Sequence, residues 1–573
     1  MKLICLPLLA ASVGLTLVSG LDAQEPKPAA PALGLTHLQR PKLVVGLMVD
    51  QMRWDFLYRY FDKYGEGGFK RLLREGFSCE NAMIGQVPTF TAVGHATVYT
   101  GSVPAIHGIT GNNWIEAVPN AALNEMPGVP VYCTDDSRFS VVGGQGAGQS
   151  PHKLLTTTIT DELRLATNFR SQVVAISLKD RGSVIPAGHV DLPEERPAGA
   201  ATVSAFWLDE ANNFVTSSYY AKELPVWANQ FNGAKVGEQL VSGEWYPLLP
   251  IKEYTQSTED EAPWEVKTEP NGTLSFPHKI SESYRQKVKD VIRNSPFGNS
   301  LTLQFAKAAV DGANLGGGSV TDFLAVSCSS TDYVGHKFGP NSIETEDTYL
   351  RLDRDLAEFF AHLDAKVGSG NYLVFLTADH GVAHSIGFMK KNRLPADEWK
   401  GSSLVDGLNT ALKDQFGVEK LVFREYNNQF FFDAAKLTVE AARADAIKAA
   451  ALAWLRLQPG VLFAVDMEKL GDTAVPEPLK TMLVNGWHRK RSGTLVIVPD
   501  PGWMPADKNT STTHGAWNPY DTHIPVVFMG WGIRPGSTQD TVYMQDIAPT
   551  LAALLHIQAP NGSVGKPIRA VFR

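Results

Sequence analysis

The stretch KLVVGLMV, residues 42–49, is a near-continuous run of apolar and β-branched side chains that ends at Asp50. Such a run is typical of a strand that is buried on both faces, as the strands of parallel sheets are. Three further runs of this kind occur along the chain: QVVAISL (172–178), DFLAVS (322–327) and YLVFL (372–376). Their repetition predicts a largely parallel sheet.

Helical patterns separate these strands, most clearly in Glu346–Val367, where apolar residues recur at helical spacing on one face. The alternation predicts an α/β fold with a largely parallel central sheet flanked by helices. Each strand also leads to charged residues, namely Asp50, Lys179-Asp180-Arg181, Asp332 and Asp379-His380. Because open α/β sheets bind ligands outside the carboxyl ends of their strands, we expect these residues to line one site.

Composition excludes several classes of protein. The chain has 573 residues with 44% hydrophobic side chains, which is enough for a large core and argues against disorder. Its 52 basic and 60 acidic residues form no block of like charge, so neither a nucleic-acid partner nor a polybasic membrane surface is expected. We expect a monomer.

The first residues predict export. Lys2 precedes an apolar run that is followed by small residues up to Ala23, as in a signal peptide spanning residues 1–23. Pro7 and Gly14 interrupt the run, which argues against a membrane anchor. We therefore expect a periplasmic or secreted protein without a membrane anchor after cleavage.

The rest of the chain is interpreted as a flexible lead-in (24–40) and one large domain (41–573). Within the domain, about 191–318 and 387–492 break the pattern and are interpreted as insertions that cap the site. Strands are predicted again at GTLVIV (493–498) and IPVVFMG (524–530), followed by a helix in DIAPTLAALL (546–555). Cys79, Cys133 and Cys328 allow at most one disulfide, and without a CxxC motif a metal would be held by histidine and carboxylate.

Candidate metal ligands lie in three motifs. Asp332 and His336 in TDYVGH are four residues apart, so they would share one face of a helix, as two ligands of one ion must. Asp379 and His380 follow a buried strand, where adjacent side chains can point to opposite sides and so bind an ion from two directions. The alternative is a structural Asp–His pair. A buried carboxylate at Asp50 would be costly unless a cation neutralised it.

A further histidine ligand is expected in THGAWNPYDTHIPVV. His514 follows a loop rich in threonine and serine, whereas His523 abuts Ile524 and Pro525 at a strand entry, where a histidine more often satisfies a core hydrogen bond. His514 is therefore preferred, and His523 remains its rival. His95, in an earlier motif, is interpreted as structural.

Hydroxyl and cationic side chains complete the set. Thr91 in PTFTAVGHATVYTG lies at an expected helix start, where free N–H groups attract an anion, and could be a nucleophile. The alternative is that Thr89 or Thr91 is only a helix N-cap. Lys179 and Arg181 place two cations at a strand end, and a guanidinium matches phosphate oxygens, although solvated surface charge is the usual alternative.

Taken together, seven motifs resemble the alkaline phosphatase superfamily over nearly all of the mature chain: VDQMRWDF, PTFTAVGHATVYTG, HGITGNNW, SLKDRG, TDYVGH, TADHG and THGAWNPYDTHIPVV. Threonine at the nucleophile position, with Asn112 and Lys179-x-Arg181, is most similar to the PafA-type, phosphate-irrepressible alkaline phosphatases. The resemblance implies an alkaline-phosphatase-like catalytic domain at 41–573 that hydrolyses small-molecule phosphate monoesters.

The resemblance also implies roles for individual residues. One zinc ion would be bound by Asp332, His336 and His514. A second would be bound by Asp50, Asp379, His380 and the oxygen of Thr91, which would form a phosphothreonine. Asn112, with Asn113 as its rival, would bind phosphoryl oxygens together with Lys179 and Arg181. The alternatives are a nucleotide pyrophosphatase/phosphodiesterase of the same superfamily and a non-catalytic exported protein that binds zinc or phosphate.

Overall fold

Leu43–Val49 forms a strand in the middle of a ten-stranded sheet, and every residue in it is buried. This computed structural model describes residues 39–118, 127–189, 202–268 and 272–572. Residues on both sides of the sheet cover the strand, which explains why its sequence is apolar without alternation. Gly46 is required there, because a Cβ atom would lie 2.6 Å from the ring of Phe375 and 2.6 Å from the hydroxyl oxygen of Tyr99.

The strands of the described residues are β1 (Leu43–Val49), β2 (Gly76–Met83), β3 (Asn113–Ala117), β4 (Gly128–Tyr132), β5 (Val141–Val142), β6 (Val173–Ser177), β7 (Val203–Leu208), β8 (Phe214–Ser217), β9 (Asp322–Cys328), β10 (Tyr372–Thr377), β11 (Asp397–Trp399), β12 (Val422–Tyr426), β13 (Gln429–Phe432), β14 (Val461–Asp466), β15 (Leu495–Pro499), β16 (Trp503–Pro505), β17 (Val526–Gly530) and β18 (Gly536–Tyr543). The order in the large sheet is β18-β2-β17-β10-β1-β9-β6-β7-β8-β5.

The centre of the large sheet is parallel. Strands β10, β1, β9, β6 and β7 pair in parallel with one another, in register from Leu43 opposite Tyr372 and Asp322 onward. Strand β17 is antiparallel to both β10 and β2, and β8 is antiparallel to β7 and β5. The predicted α/β fold with a largely parallel central sheet is therefore confirmed.

The α-helices of the described residues are Phe56–Arg59, Phe69–Glu75, Thr91–Thr100, Pro104–His107, Ile159–Ala166, Arg181–Ala187, Val226–Gly233, Val236–Leu240, Ile280–Arg285, Phe297–Gly312, Ser330–Phe338, Ile343–Leu363, Ile386–Lys391, Gly401–Phe416, Ala434–Val439, Ala444–Leu455, Leu479–Gly486, Pro519–Thr522 and Ile547–Leu555. The helix predicted from residue 346 begins at Ile343 because Ser342 caps its N-terminus by accepting from the N–H of Thr345. It ends at Leu363 and continues as one π-helical turn.

The two segments that interrupt the sequence pattern differ from each other in the structure. Residues 202–268 contribute β7 and β8 to the large sheet, which the sequence pattern did not signal. The second segment contributes β12, β13 and β14 to a separate four-stranded sheet in the order β12-β13-β15-β14, and the helices Gly401–Phe416 and Ala444–Leu455 pack with this sheet. The strand predicted at 493–498 belongs to this smaller sheet as β15. The interpretation of both segments as capping insertions stays a prediction.

The N-terminal predictions fall on residues that the structure does not describe. The signal peptide (1–23) and nearly all of the lead-in (24–40) lie in this range. Elsewhere, no helix within the described ranges combines the length and the apolar character that a membrane crossing requires. Cys79, Cys133 and Cys328 are buried and unpaired, as expected for small apolar residues of a core.

Candidate metal centre

Four adjacent parallel strands deliver charged residues to one edge of the sheet. In the order β10-β1-β9-β6, these strands are followed by Asp379, Asp50, Asp332 and Lys179. Each of the four residues is at least 96% buried, with relative exposures of 0%, 0%, 4% and 4%. The parallel direction of the strands, which the sequence predicted, is the reason that residues far apart in the chain meet here.

Asp332 and His336 lie one turn apart on the helix Ser330–Phe338. Nε2 of His336 is 3.2 Å from Oδ1 of Asp332, and its Nδ1 donates to the carbonyl of Thr512 at 2.9 Å. This hydrogen bond fixes the ring and leaves Nε2 facing the carboxylate, as in a metal-binding histidine with an outer partner.

His380 and His514 face the same space from two other segments. Their rings stack with centroids 3.5 Å apart, and the Nδ1 atoms donate to the carbonyls of Gly381 and Thr89. Both Nε2 atoms therefore face the carboxylates. Nε2 of His514 is 3.7 Å from Oδ1 of Asp332, and Nε2 of His380 is 3.5 Å from Oδ1 of Asp50.

His523, the rival of His514, lies outside this cluster. Its ring stacks on Trp54 at 4.6 Å, and Nε2 donates to the carbonyl of Glu80 at 2.9 Å. His95, in contrast, lies next to the cluster, with Nδ1 3.5 Å from Oδ2 of Asp379. It donates from Nδ1 to the carbonyl of Thr91, and burial lowers its pKa to about 3, so the ring is neutral.

Thr91 is the first residue of the helix Thr91–Thr100. The N-cap position belongs to Phe90, and no side chain caps the helix, so the Thr91 hydroxyl is not an N-cap. Its Oγ1 lies 3.5 Å from Nε2 of His380 and 3.5 Å from Nζ of Lys179. The hydroxyl therefore stands between the carboxylate cluster and the positive end of a helix.

Asn112 lies beside the same helix end. Its Oδ1 accepts from the backbone N–H of Ala92 at 2.9 Å, which leaves the amide N–H groups as donors for a ligand near Thr91. Asn113, its rival, is the first residue of β3, and its carbonyl accepts from Asn427. Asn112, and not Asn113, therefore has its side chain at the N-terminus of the helix Thr91–Thr100.

Lys179 connects two of the carboxylates. Its Nζ donates to Oδ2 of Asp50 at 2.5 Å and to Oδ2 of Asp332 at 2.7 Å. Burial alone would lower the pKa of Lys179, but the carboxylates of Asp332 and Asp50 outweigh burial and raise it. Lys179 is therefore charged and buried, and the alternative that it is a solvated surface charge is wrong.

Arg181 begins the helix Arg181–Ala187, two residues after Lys179 in the segment that follows β6, and is half-buried. One terminal nitrogen donates to the hydroxyl of Tyr132 at 3.0 Å, whereas the buried Nε has no hydrogen-bond partner. An unpartnered donor of this kind is costly unless a ligand accepts from it. Arg181 thus keeps donor capacity for an anion.

The negative charge of the cluster exceeds the cationic charge that compensates it. Lys179 donates to the carboxylates of Asp50 and Asp332, and Asp379 adds a third carboxylate to the cluster. Oδ1 of Asp50 and Oδ2 of Asp379 are buried without hydrogen-bond partners. Burying an uncompensated charge costs several kcal/mol even after relaxation. The residues fit a metal centre, because cations would neutralise these carboxylates and satisfy both orphaned oxygens.

Two groups of potential ligands share His380. One contains Asp50, Asp379 and His380, and the other contains Asp332, His380 and His514, with the ligand atoms of each group within 4.8 Å of one another. The family resemblance implied that His336, rather than His380, binds one ion together with Asp332 and His514. Nε2 of His336 contacts Oδ1 of Asp332, as His514 does, so His336 is a fourth potential ligand beside Asp332, His380 and His514. Histidine and carboxylate are a donor set that suits zinc.

Proton affinities agree with this charge distribution. Burial raises the pKa of Asp50 well above its usual range, and the carboxylates of Asp332 and Asp379 raise it further. Burial likewise raises the pKa of Asp379 to about 6. The pKa of His514 is lowered by burial and by the nearby His380 and His336, which keeps the ring in the neutral form that binds metals.

Three residues around the centre were missed by sequence reasoning. Gln51 donates its backbone N–H to Asp379 and its side-chain amide to Asp332. Asp521 accepts from the N–H groups of Gly515 and Ala516 and so fixes the loop after His514. Asn427, in the β12–β13 turn, reaches Asn113. Only the Asn427-Asn428 pair, typical of a tight hairpin turn, carried a sequence signal.

Known proteins match this chain over its length. The model of a family described as type I phosphodiesterase / nucleotide pyrophosphatase matches residues 44–523. The chain belongs to this family. Alkaline phosphatase PafA of Elizabethkingia meningoseptica is 48% identical over 98% of both chains, and alkaline phosphatase PhoV of Synechococcus elongatus is 45% identical over the whole of both.

Solved structures extend the likeness to three dimensions. The crystal structure of PafA superposes with a TM-score of 0.87 at 48% identity and covers 94% of this chain and 100% of that one. A PafA variant in which a threonine, an asparagine, a lysine and an arginine are replaced gives 0.86 at 47% identity, with 93% and 99% covered. Its threonine and asparagine are 21 positions apart and its lysine and arginine two apart, as Thr91 and Asn112, and Lys179 and Arg181, are here.

These relatives confirm the predicted resemblance to the alkaline phosphatase superfamily and to its PafA-type members. Likeness at this level over the full chain also confirms the prediction of a phosphatase enzyme. The family description itself includes phosphodiesterases, so the choice between monoester and diester depends on the residues of the site.

Proposed function

We propose that this enzyme hydrolyses phosphate monoesters, with Thr91 as the nucleophile and two zinc ions as cofactors. The observation that carries the proposal is the position of Oγ1 of Thr91. It lies at a helix N-terminus, 3.5 Å from Nζ of Lys179 and 3.5 Å from Nε2 of His380, the residue that both groups of potential ligands share. Such a hydroxyl can attack an anion that the surrounding positive groups hold in place.

The proposed zinc ligands are Asp332, His336 and His514 for one ion, and Asp50, Asp379, His380 and Thr91 for the other. The unpartnered oxygens of Asp50 and Asp379 support the second set, and the shared contacts of Asp332 support the first. Zinc ions bound there would favour ionisation of the threonine hydroxyl and would stabilise the charge that develops on the leaving oxygen.

The reaction would proceed in two displacements. Oγ1 of Thr91 forms a bond to phosphorus while the bond from phosphorus to the leaving alcohol oxygen breaks, and this oxygen takes up a proton. Water then attacks the phosphothreonine from the opposite side, releases phosphate and restores the hydroxyl. Each step inverts the configuration at phosphorus, so the net result is retention.

Asn112, Lys179 and Arg181 would bind the non-bridging phosphoryl oxygens. The amide of Asn112 is oriented by Ala92, and Arg181 keeps an unpartnered Nε donor. Phosphoryl transfer depends mainly on positioning and charge stabilisation, so these three groups contribute by electrostatics and orientation. A monoester dianion offers them one more charged oxygen than a diester does.

Phosphodiester hydrolysis is the second candidate, favoured by the description of the matching family. A diester carries a second substituent in place of one charged oxygen. That substituent would meet the cations of the buried Lys179 and the half-buried Arg181, which it cannot use as partners. The monoester is therefore the better fit to this site.

The experiment compares an aryl phosphate monoester with the matching diester near alkaline pH, using purified protein supplied with zinc. We expect much faster turnover of the monoester, loss of most of it in Thr91→Ala, and partial retention in Thr91→Ser, which keeps a hydroxyl. Acid-quenched samples analysed by mass spectrometry should contain phosphothreonine at residue 91. Equal or greater diester activity would defeat the proposal, and binding of zinc and phosphate without turnover would identify a non-catalytic protein.

We propose further that the enzyme is exported with cleavage of the signal peptide, on the basis of the pattern in residues 1–23, and that it is a monomer. Fractionation of producing cells, N-terminal sequencing of the mature protein and its mass in solution test these three points. An uncleaved N-terminus in the cytosol would contradict export.

A further inference from the structure

A cavity of about 450 Å³ opens beside His336 and His514. Its walls come from Phe90, from the 499–521 segment, and from β11 and the β12–β13 turn. Phe90 immediately precedes Thr91, and its ring meets that of His514 edge-on at 5.6 Å. The cavity is therefore continuous with the proposed catalytic centre.

The position of the cavity relative to Thr91 defines which part of a substrate it would hold. In an in-line displacement the leaving group departs on the side opposite the nucleophile. The proposed function places Thr91, whose Oγ1 is 3.5 Å from Nε2 of His380, with the zinc ligands Asp50, Asp379 and His380. The leaving group would therefore face the other proposed zinc site, which His336 and His514 form with Asp332. Those two histidines line the cavity, and the organic part of the leaving group would enter it.

Five aromatic side chains contribute to the walls. The cavity is lined by Phe90, Trp399, Tyr426, Trp503 and Tyr520. Trp399 and Trp503 lie on the paired short strands β11 and β16, and the hydroxyl of Tyr520 accepts from the N–H of Gly502 and donates to Asn518. Backbone pairing and hydrogen bonds thus hold these rings in place, as a preformed binding site requires.

The charge of the cavity is the second observation. Glu425, Asp507 and Asp521 line it, and no lysine or arginine does so among the described residues. The carboxylate of Glu425 accepts from the N–H of Asn428, and Oδ2 of Asp521 accepts from two backbone N–H groups. Away from the proposed zinc site, an anionic leaving group would find acidic side chains and no lysine or arginine in the described part of these walls, which costs binding energy.

We infer that this cavity, the leaving-group cavity, selects phosphate monoesters whose leaving group carries a flat aromatic ring and no negative charge, such as a nucleoside. The inference rests on the proposed function, because it assigns the leaving group to the side of His336 and His514. Flat rings gain by stacking and edge contacts with aromatic walls, and the amides of Asn427 and Asn428 line the same cavity as partners for hydroxyl groups.

The first test uses two substrates with the same leaving oxygen. Adenosine 5′-monophosphate and ribose 5-phosphate both release a primary ribose alcohol, so their intrinsic reactivity is closely matched. With the zinc-loaded enzyme we expect kcat/KM to be about tenfold higher for the nucleotide, the effect of one aromatic contact of ordinary strength. Equal kcat/KM values would overturn the inference and leave the proposed function standing, whereas no turnover of either substrate would refute the proposed function.

The second test uses variants. Trp503→Ala and Tyr426→Ala should each lower kcat/KM for adenosine 5′-monophosphate severalfold and leave that for ribose 5-phosphate unchanged. Trp264→Ala is the matched control, since this partly buried tryptophan packs on Phe388 and lies outside the cavity. A parallel loss on both substrates in the cavity variants would overturn the assignment.

The third test addresses charge without any variant. 4-Carbamoylbenzyl phosphate and 4-carboxybenzyl phosphate differ by one negative charge far from the reacting oxygen. We expect the carboxylate to be hydrolysed at least about fivefold more slowly in kcat/KM at low ionic strength, and the difference to shrink with added salt. Equal rates for the two would contradict the selection against anionic leaving groups.

Discussion

The side-chain amide of Gln51 donates a 2.7 Å hydrogen bond to Oδ1 of Asp332. The backbone N–H of the same residue donates to Oδ1 of Asp379 at 3.2 Å. Gln51 therefore joins the two groups of proposed ligands from outside them. It does so with φ at 66°, and Gly335 leaves room for its side chain, since a Cβ atom there would lie 1.9 Å from Oε1 of Gln51.

The first prediction concerns this bridge. Gln51→Asn keeps a residue that tolerates positive φ but shortens the side chain, so the bond to Asp332 is lost and the backbone bond to Asp379 remains. We expect zinc affinity to fall by about tenfold, as for other outer partners of metal ligands. Zinc titration followed by activity measures this, and excess zinc should restore much of kcat/KM. Unchanged zinc affinity would mean that Gln51 does not position Asp332.

The second prediction concerns the metals. Removal of metal with a chelator should abolish phosphatase activity, and zinc should restore it with two ions bound per chain. His514→Ala should bind fewer ions and lose activity by at least about 100-fold. His523→Ala is the matched control, because His523 contacts Trp54 and Glu80 and not the cluster. Metal content measured by mass spectrometry decides the outcome, and loss of zinc in both variants alike would contradict the assignment of His514.

The third prediction concerns recognition of the dianion. Replacing both Lys179 and Arg181 by alanine should lower monoester kcat/KM by about 10³-fold, because each charge-assisted hydrogen bond contributes about 2 kcal/mol. Diester turnover should fall much less. Arg181→Ala alone leaves the contacts of Lys179 with Asp50 and Asp332 intact and should show the same selectivity in part. An equal fall on both substrates would show that these side chains do not distinguish the dianion.

The fourth prediction concerns the helix that presents Thr91. A Cβ atom on Gly94 would lie 2.3 Å from the carbonyl oxygen of Asp379, so Gly94→Ala must displace either the helix or the loop. We expect a loss of activity of at least about tenfold, although alanine improves helix propensity by about 1 kcal/mol. Gly233→Ala, at a helical glycine with nothing within 4 Å, is the control and should retain full kcat/KM. Full activity in Gly94→Ala would show that the close approach to Asp379 is not needed.

The fifth prediction concerns pH and stability at a site remote from the metals. Burial opposes protonation of His189, but its hydrogen bond to Asp161 outweighs burial and raises the pKa of the imidazole. A raised pKa stabilises the fold below the unfolded pKa of about 6.5, and this contribution is lost as pH rises through the folded pKa. His189→Gln should therefore lower the free energy of unfolding more at pH 5.5 than at pH 9. Urea unfolding at both values measures the difference, and equal losses would contradict the sign.

Sequence reasoning predicted the strands of the sheet centre to within about two residues, because a strand buried on both faces needs an uninterrupted apolar run. It missed β7 and β8 as members of the large sheet and the separate sheet that contains β15. In the segments 191–318 and 387–492, Trp, Pro and polar residues interrupt the apolar pattern. Strand β15 has an apolar sequence, but its pairing with β13 and β14 is a tertiary contact. Pairing across such distances leaves no periodic signal.

The candidate site divides in the same way. Residues inside motifs, such as Asp332 with His336, could be proposed from spacing alone. For the choice between His514 and His523, local pattern offered only the position of His523 at a strand entry, and it left His523 as a rival. Their surroundings separate them, since His514 faces Asp332 and His523 faces Trp54.

The sequence by itself determined the buried strands of the parallel sheet and the charged residues that follow them. A strand buried on both faces needs a continuous apolar run, and such a run is visible in a short stretch of sequence. Only the tertiary structure decided that β10, β1, β9 and β6 lie side by side, so that Asp379, Asp50, Asp332 and Lys179 meet. It also decided the bridge through Gln51 and the aromatic walls around His336 and His514. The reason is physical: contacts between distant segments depend on how whole elements pack, which no short stretch of sequence specifies.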